Sequence, residues 1–318
     1  MGRKMGKLGR AAIAAALMTG AAAAPAAAQS GAGGIAGGSV QAGIGYGACE
    51  LSKNKEFTGA LSNGVMPASA GFAGAAVNQV LDGGIKQIGS LVGRNASPFC
   101  NVDTPQAALL LTGDMIDEAT IASAEAILAA QEGLNLQTSL KNDIQVMREA
   151  RGDFGPLDKA DAHKETTQRI GVGAVEVAAK LAELQAGGGL TPELRETVVA
   201  VSEKLSQATW FQIQSGLGVA AIKNNLGGLT QAQGERLLNS ADVGLQSSYA
   251  QNLPGRMTNL VGNTAKILAI QTAVGQLADP DLQKQLKKAD KRGKKAAKKI
   301  AKQRVEVANE PKTVDWNI

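Results

Sequence analysis

Reactive side chains are scarce in this chain. One histidine, His163, and two cysteines, Cys49 and Cys100, serve all 318 residues. Three such side chains leave a His/Cys zinc site nearly excluded. A Ser-His-Asp or Cys-His hydrolase would have to use His163 as its base. That residue closes the run Asp158-Lys159-Ala160-Asp161-Ala162-His163 near a helix start, and no GxSxG motif accompanies it. Asp161, two positions away, points off a different side of a helix. His163 is therefore read as structural or solvent-facing. Asp114, Asp117 and Glu118 share one helical face by their spacing. Clustered carboxylates could serve hydrolysis or hold a hard cation. A sugar-cleaving enzyme would be expected to bring aromatic platforms, and only 3% of the chain is aromatic. A solvated helix face is the expectation for these acids. Gly171-Val172-Gly173 and Gly216-Leu217-Gly218 lack the preceding strand and the lysine of a phosphate loop, so they are read as close helix crossings. The sequence assigns no catalytic residue, no cofactor and no metal ligand.

The cysteines gain meaning from the N-terminus. Arg3, Lys4, Lys7 and Arg10 precede an apolar run over residues 11–24, and Ala26-Ala27-Ala28 offers small residues for signal peptidase. This is the secretory pattern, too short to span a bilayer comfortably. Cleavage after Ala28 would leave Gln29 first. In an oxidising compartment an even pair of thiols predicts a Cys49–Cys100 bridge. Closing a loop of that length stabilises by about 4 kcal/mol in the chain-entropy model, less any strain.

Charge is the third chemical feature. Lys284, Lys287, Lys288, Lys291, Arg292, Lys294, Lys295, Lys298, Lys299, Lys302 and Arg304 crowd into residues 284–304 with one acid, Asp290, whereas residues 29–283 carry a net charge of −7. Leu282, Leu286, Ala289, Gly293, Ala296 and Ile300 recur at four- and three-residue steps among the lysines, so the segment predicts a cationic helix with a thin apolar side. Its partners by chemistry are lipid or lipopolysaccharide phosphates, peptidoglycan carboxylates, nucleic acid, or the acidic body of another copy. The run KKADKRGKKAAKKIAK resembles the lysine-alanine tails of histone-like DNA proteins. The export signal argues against nucleic acid and favours an anionic envelope surface. After the lysines, Val314, Trp316 and Ile318 alternate as a short docking strand could, although chain ends usually fray.

The elements that must carry these groups read as helices. Residues 29–48 are Gly/Ala-rich and read as a linker or arm, ahead of a disulfide-bounded helical segment over 49–103. Helical periodicity covers about residues 68–92. Thr104-Pro105 is an N-cap followed by proline, and one long helix is expected over about 105–151. After the turn at Gly152–Pro156, His163, Thr167, Ile170, Ala174, Val177, Leu181 and Leu184 keep heptad spacing. Thr191-Pro192 starts another helix, which Gly227-Gly228 stops. Leu253-Pro254-Gly255 is expected to bend the chain between two further helices, the second ending at Asp279-Pro280. In the adjacent pair Trp210-Phe211 the side chains diverge by about 100°, so only one is expected to face a core. No stretch alternates as a strand does.

The expectation is thus an all-α protein: an elongated antiparallel bundle of long helices over 104–279, with a Gly-rich N-terminal arm and a Lys-rich C-terminal helical tail over 280–318. Its leading function is non-enzymatic, as an exported structural or interaction subunit of a bacterial envelope or surface assembly. It would act in the periplasm, at the outer membrane or on the cell surface, through self-association or contact with other envelope proteins. A periplasmic chaperone-like or binding module, tethered to anionic membrane or peptidoglycan by the lysines, is the alternative. A peptidoglycan-acting enzyme comes third. The layout of long Ala- and Gln-containing helices in an exported chain is similar to that of minor pilin subunits of conjugative type IV secretion systems.

Overall fold

The computed structural model describes residues 43–53, 97–149, 158–187, 190–227 and 241–310. The segment read as a signal peptide, most of the Gly-rich stretch, the periodic stretch 68–92, the turn at 152–156 and the alternating end at 314–318 lie outside them. Within them the protein is all-α, with eight helices and no strand.

Helix α1 (Gly43–Lys53) takes in the last six residues of the stretch read as linker, and Gly47 lies beside Ala221. A short 3-10 turn, Pro98–Asn101, leads into α2 (Pro105–Gly133). The cap of α2 is the expected one: Thr104 is extended and its Oγ1 accepts from Ala107 N at 3.1 Å. The single helix expected over 105–151 is instead two. Asn135 adopts φ 55°, Leu136 N donates to Gln131 O at 2.8 Å and Asn135 N to Glu132 O at 3.2 Å. These two bonds close a Schellman motif with asparagine in the left-handed position, which satisfies the last carbonyls of α2. The chain then turns back through α3 (Lys141–Glu149), and Arg169 of α4 (Asp158–Ala186) grips Asp143 of α3 with two hydrogen bonds, of 2.6 and 2.9 Å.

Helix α5 (Pro192–Gly227) is the axis of the fold. It runs antiparallel to α2, since Gly218 lies against Thr112, Lys204 pairs with Glu125, and Gly133 meets Thr197. No residue of α2 from Ala107 to Gln131 is exposed, and none of α5 from Leu205 to Ile222. A helix apolar or close-packed on every side must be enclosed by neighbours. That enclosure overturns the expectation for Trp210-Phe211: both are buried, at 3% and 0% exposure, because α5 has a packing partner on each flank. The heptad stripe of α4 is buried as its spacing requires, from His163 to Leu181. Yet α4 lies parallel to α2, with His163 beside Thr120 and Gly173 beside Ile127. The bundle is therefore of mixed direction.

Helix α6 (Ala241–Gly262) continues through Pro254, where the chain was expected to bend between two helices. Leu253, Met257 and Leu260 are anchored in the core and hold the helix across the missing N–H. The interruption comes at Asn263 instead, whose Nδ2 donates to the buried carbonyl of Thr167 before α7 (Thr264–Leu277) begins.

The largest revision concerns the supposed tail. Asp279-Pro280 is not the end of the bundle but the N-cap of a thirty-residue helix, α8 (Pro280–Asn309), with Asp279 Oδ1 accepting from Leu282 N at 2.8 Å. Helix α8 lies parallel to α5, since Asp279 pairs with Arg195, Asp290 with Ser206 and Arg292 with Glu203. Its buried stripe is Leu282, Ala289, Gly293, Ala297, Ala301, Val305 and Ala308. From Ala289 to Val305 this advances by fours, so it drifts round the helix and leaves Ala296 and Ile300 only half-buried. The small side chains permit close approach. A Cβ on Gly293 would strike the Glu203 carbonyl oxygen and lie 2.9 Å from Ser206 Cβ.

Two glycine substitutions test this packing. Gly293→Ala should destabilise by about 1–3 kcal/mol, because backbone rather than a movable side chain fills the space. Gly275→Ala, in α7 with nothing within 4 Å of the added carbon, should be neutral or stabilise by up to about 1 kcal/mol. Urea unfolding followed by circular dichroism measures both. Equal stability of the two variants would mean that α8 is not seated on α5.

Candidate functional site

The site is assembled by the charges of α8 and by the acids that do or do not meet them. At 3.6 residues per turn, Lys284, Lys287, Lys288, Lys291, Lys295, Lys298, Lys299 and Lys302 fall within about 120° of the helix circumference. All eight are exposed. Eighteen residues separate the first from the last, roughly 27 Å at 1.5 Å per residue. Lys284 contacts Asp281 at 3.2 Å and Lys302 reaches Glu306 at 3.9 Å, both local pairs on the helix surface. Lys287, Lys288, Lys291, Lys295, Lys298 and Lys299 make no ion pair or hydrogen bond among the described residues.

Three other cations expected to bind an anionic partner are used inside the molecule. Arg304 points inward and its Nε donates to Glu118 Oε1 at 3.1 Å, with the two side chains 23% and 6% exposed. Arg292 pairs with Glu203 at 2.7 Å, and half-buried Lys294 with Asp290 at 2.6 Å. The binding set from the sequence is thereby divided: eight lysines form one outward face, and Arg304 belongs to the core.

The acids of α2 also depart from expectation. Asp114, Asp117 and Glu118 are buried, at 3–5% exposure, and not a solvated face. Asp117 receives the guanidinium of Arg256 from α6, and Glu118 that of Arg304 from α8. A buried carboxylate requires such a partner. Sequence reasoning missed both arginines: Arg256 lies in a presumed bend, and Arg304 is hidden among ten neighbouring cations. Two acids a residue apart on an otherwise apolar helix were the available signal, since unpaired acids are almost never fully buried.

His163 is wholly enclosed. Thr120 donates its hydroxyl to Ile116 O at 2.9 Å and so must accept from His163 Nε2, 3.0 Å away. The proton therefore sits on Nε2, and Nδ1 is buried with no hydrogen-bond partner among the described residues. Burial, and then the nearby Arg256 charge, hold the imidazole well below its ordinary pKa of 6.5. The ring is a neutral core group with no open approach for a substrate. Among the described residues no three His, Cys, Asp or Glu side chains converge to hold a metal ion. No helix among them is long and apolar enough to cross a membrane.

The predicted disulfide is present, joining Cys49 on α1 to Cys100 in the 3-10 turn, with Cα atoms 4.9 Å apart. It fixes that turn beside the C-terminal half of α8, where Asn309 Nδ2 donates to Asn101 O at 2.9 Å. No known protein family, curated protein or solved structure matches the chain.

The histidine makes a pH prediction. Its folded pKa is depressed, so its contribution is complete above the unfolded value of about 6.5 and is lost as pH falls from there towards the folded value. Unfolding free energy should drop by up to about 1.4 kcal/mol per pH unit across that window. Asp279 and Glu193 are lowered below their usual values, Asp279 chiefly by the Leu282 amide and Glu193 chiefly by its own backbone amide, so they act only at lower pH. In His163→Gln the slope between pH 6.5 and 5.5 should vanish, whatever that variant's absolute stability. Denaturant melts at several pH values decide it.

Proposed function

We propose that this chain is an exported, non-enzymatic interaction subunit of a bacterial envelope or surface assembly, and that α8 presents it to an anionic envelope partner. The observation that carries the reading is the two-sidedness of α8. One side is locked into the core by Leu282, Ala289, Gly293 and Ala297, and the other sets eight lysines in a single outward arc. A helix held this way orders its cations before any partner arrives. Less backbone freedom is then lost on binding than with a floppy tail. The enclosed histidine and the arginine-paired carboxylates favour an interaction role over a catalytic one. The secretory pattern at the N-terminus and the Cys49–Cys100 bridge support an oxidising compartment.

Two measurements test the reading. Each lysine near an anionic surface contributes about 1 kcal/mol and is screened within a Debye length, about 10 Å at 0.1 M salt. The protein should therefore sediment with phosphatidylglycerol vesicles or peptidoglycan sacculi at 50 mM salt and lose at least ~10-fold in affinity at 500 mM. The combined Lys287→Glu, Lys291→Glu and Lys295→Glu variant should lose binding while its stability stays within roughly 0.5 kcal/mol per site, because these positions are exposed. Undiminished binding by that variant at low salt would sink the proposal for α8.

For export, intact-mass analysis of periplasmic protein should show a mature chain starting at Gln29 with no alkylatable thiol until reductant is added. Two free thiols or a retained leader would contradict it.

A further inference from the structure

Where the lysine arc passes the disulfide-held turn, the described residues enclose an open cleft of about 510 Å³ between the turn, α5 and α8. That volume is within the range that takes a small ligand. Four of its lining residues are apolar, Pro98 from the turn, Trp210 from α5, and Ala301 and Val305 from α8, with Ser97 and Asn101 beside them. Its charged lining is Lys298 and Lys302, two members of the outward arc, and Glu306, which lies 3.9 Å from Lys302 and leaves Lys298 as the uncompensated cation. Trp210 is held by an edge-on contact with Phe211, ring centres 5.5 Å apart, so its position is set before binding. The turn cannot swing away, because Cys100 is bonded to Cys49 of α1 and α1 packs on α5.

An apolar trough opening directly onto a cationic face suits one kind of ligand: a molecule with a hydrocarbon body and an anionic head. Peptidoglycan and nucleic acid offer the anion without the hydrocarbon. A neutral acyl chain would leave Lys298 without a counter-charge. We infer that the cleft binds one acyl chain of an anionic lipid, with its phosphate at Lys298, clear of the Lys302–Glu306 pair, and its chain along Trp210, Pro98, Ala301 and Val305. This rests on the reading of α8 as an anionic-partner surface and names the partner as lipid. The lysine arc would meet the head groups of the surrounding leaflet while the cleft holds a single chain drawn out of it. Recognition then has two parts, a salt-sensitive one on the arc and a chain-length-sensitive one in the cleft.

The test uses the oxidised full-length exported protein carrying Trp316→Phe, which leaves Trp210 as the only tryptophan of the two. Hexyl, octyl and decyl phosphate, each kept below its micelle concentration, are titrated against Trp210 fluorescence. Saturable binding should tighten with chain length, by up to ~4-fold for each methylene buried. Octanol and inorganic phosphate should each bind at least ~10-fold more weakly than octyl phosphate, since each keeps only half of the recognition. Lys298→Glu, an exposed substitution, should weaken octyl phosphate by ~10-fold or more, with the circular dichroism and melting temperature unchanged. Affinity independent of chain length, or equal for octanol and octyl phosphate, overturns the inference. Vesicle sedimentation separates the two levels. If the protein still sediments with phosphatidylglycerol vesicles but Trp210 does not respond to alkyl phosphates, the acyl site is wrong and the cationic surface stands. If neither binding is seen, both fall.

Discussion

Helix α5 is enclosed from Leu205 to Ile222, with α1, α2, α6, α7 and α8 lying against it while α3 and α4 pack on α2. Enclosure of one helix by several others is possible only where backbones come close, and close approach needs small side chains at the crossings. Gly218 admits Thr112 and Phe99 on the α2 side, and Gly293 admits the Glu203 carbonyl on the α8 side. Small residues bury little apolar area each. The core therefore depends on many dispersion contacts at short range, supplemented by larger anchors such as Phe99, Phe211, Leu217 and Ile222.

Three polar contacts inside this core tie α2 to a second helix. Asp117 to Arg256 joins α2 to α6, Glu118 to Arg304 joins α2 to α8, and Thr120 to His163 joins α2 to α4. Removing one member of such a pair leaves a buried charge or an unmet hydrogen bond, which costs more than the pair contributes when intact. These contacts therefore select one arrangement of the helices around α2. An apolar seam alone would tolerate sliding. The same logic assigns the histidine a place in architecture, since its ring has one hydrogen bond, no exposure and a suppressed charge.

Helix α8 joins the architecture to the proposed role. A flexible cationic tail could bind anions, but its lysines would have no fixed geometry. Seated on α5 and α2, the helix separates its charges by function: Arg304 and Arg292 hold it to the body, and the lysines from 284 to 302 face outward. The disulfide-held turn adds an apolar wall at one end of that face, beside Trp210.

Much of the local structure was determined by sequence alone. Helical periodicity fixed the all-α class, because side chains three and four apart share a face whatever surrounds them. Thr104-Pro105 and Thr191-Pro192 marked helix starts, because an N-cap oxygen followed by a residue lacking an N–H satisfies a helix end locally. An even pair of cysteines, taken with a secretory pattern at the N-terminus, pointed to the bridge. Asp279-Pro280 carries the same cap chemistry, yet it reads as a terminus because the lysines beyond it dominate the composition. Only the tertiary structure decided that the helix they form is part of the core. Its seam of Ala and Gly has little hydrophobic signal of its own and becomes apolar only when α5 covers it. The partners of Asp117 and Glu118, the burial of both Trp210 and Phe211 and the continuity through Pro254 depend likewise on residues distant in sequence. The energy of each is set by what packs against it, and that information lies in no single segment.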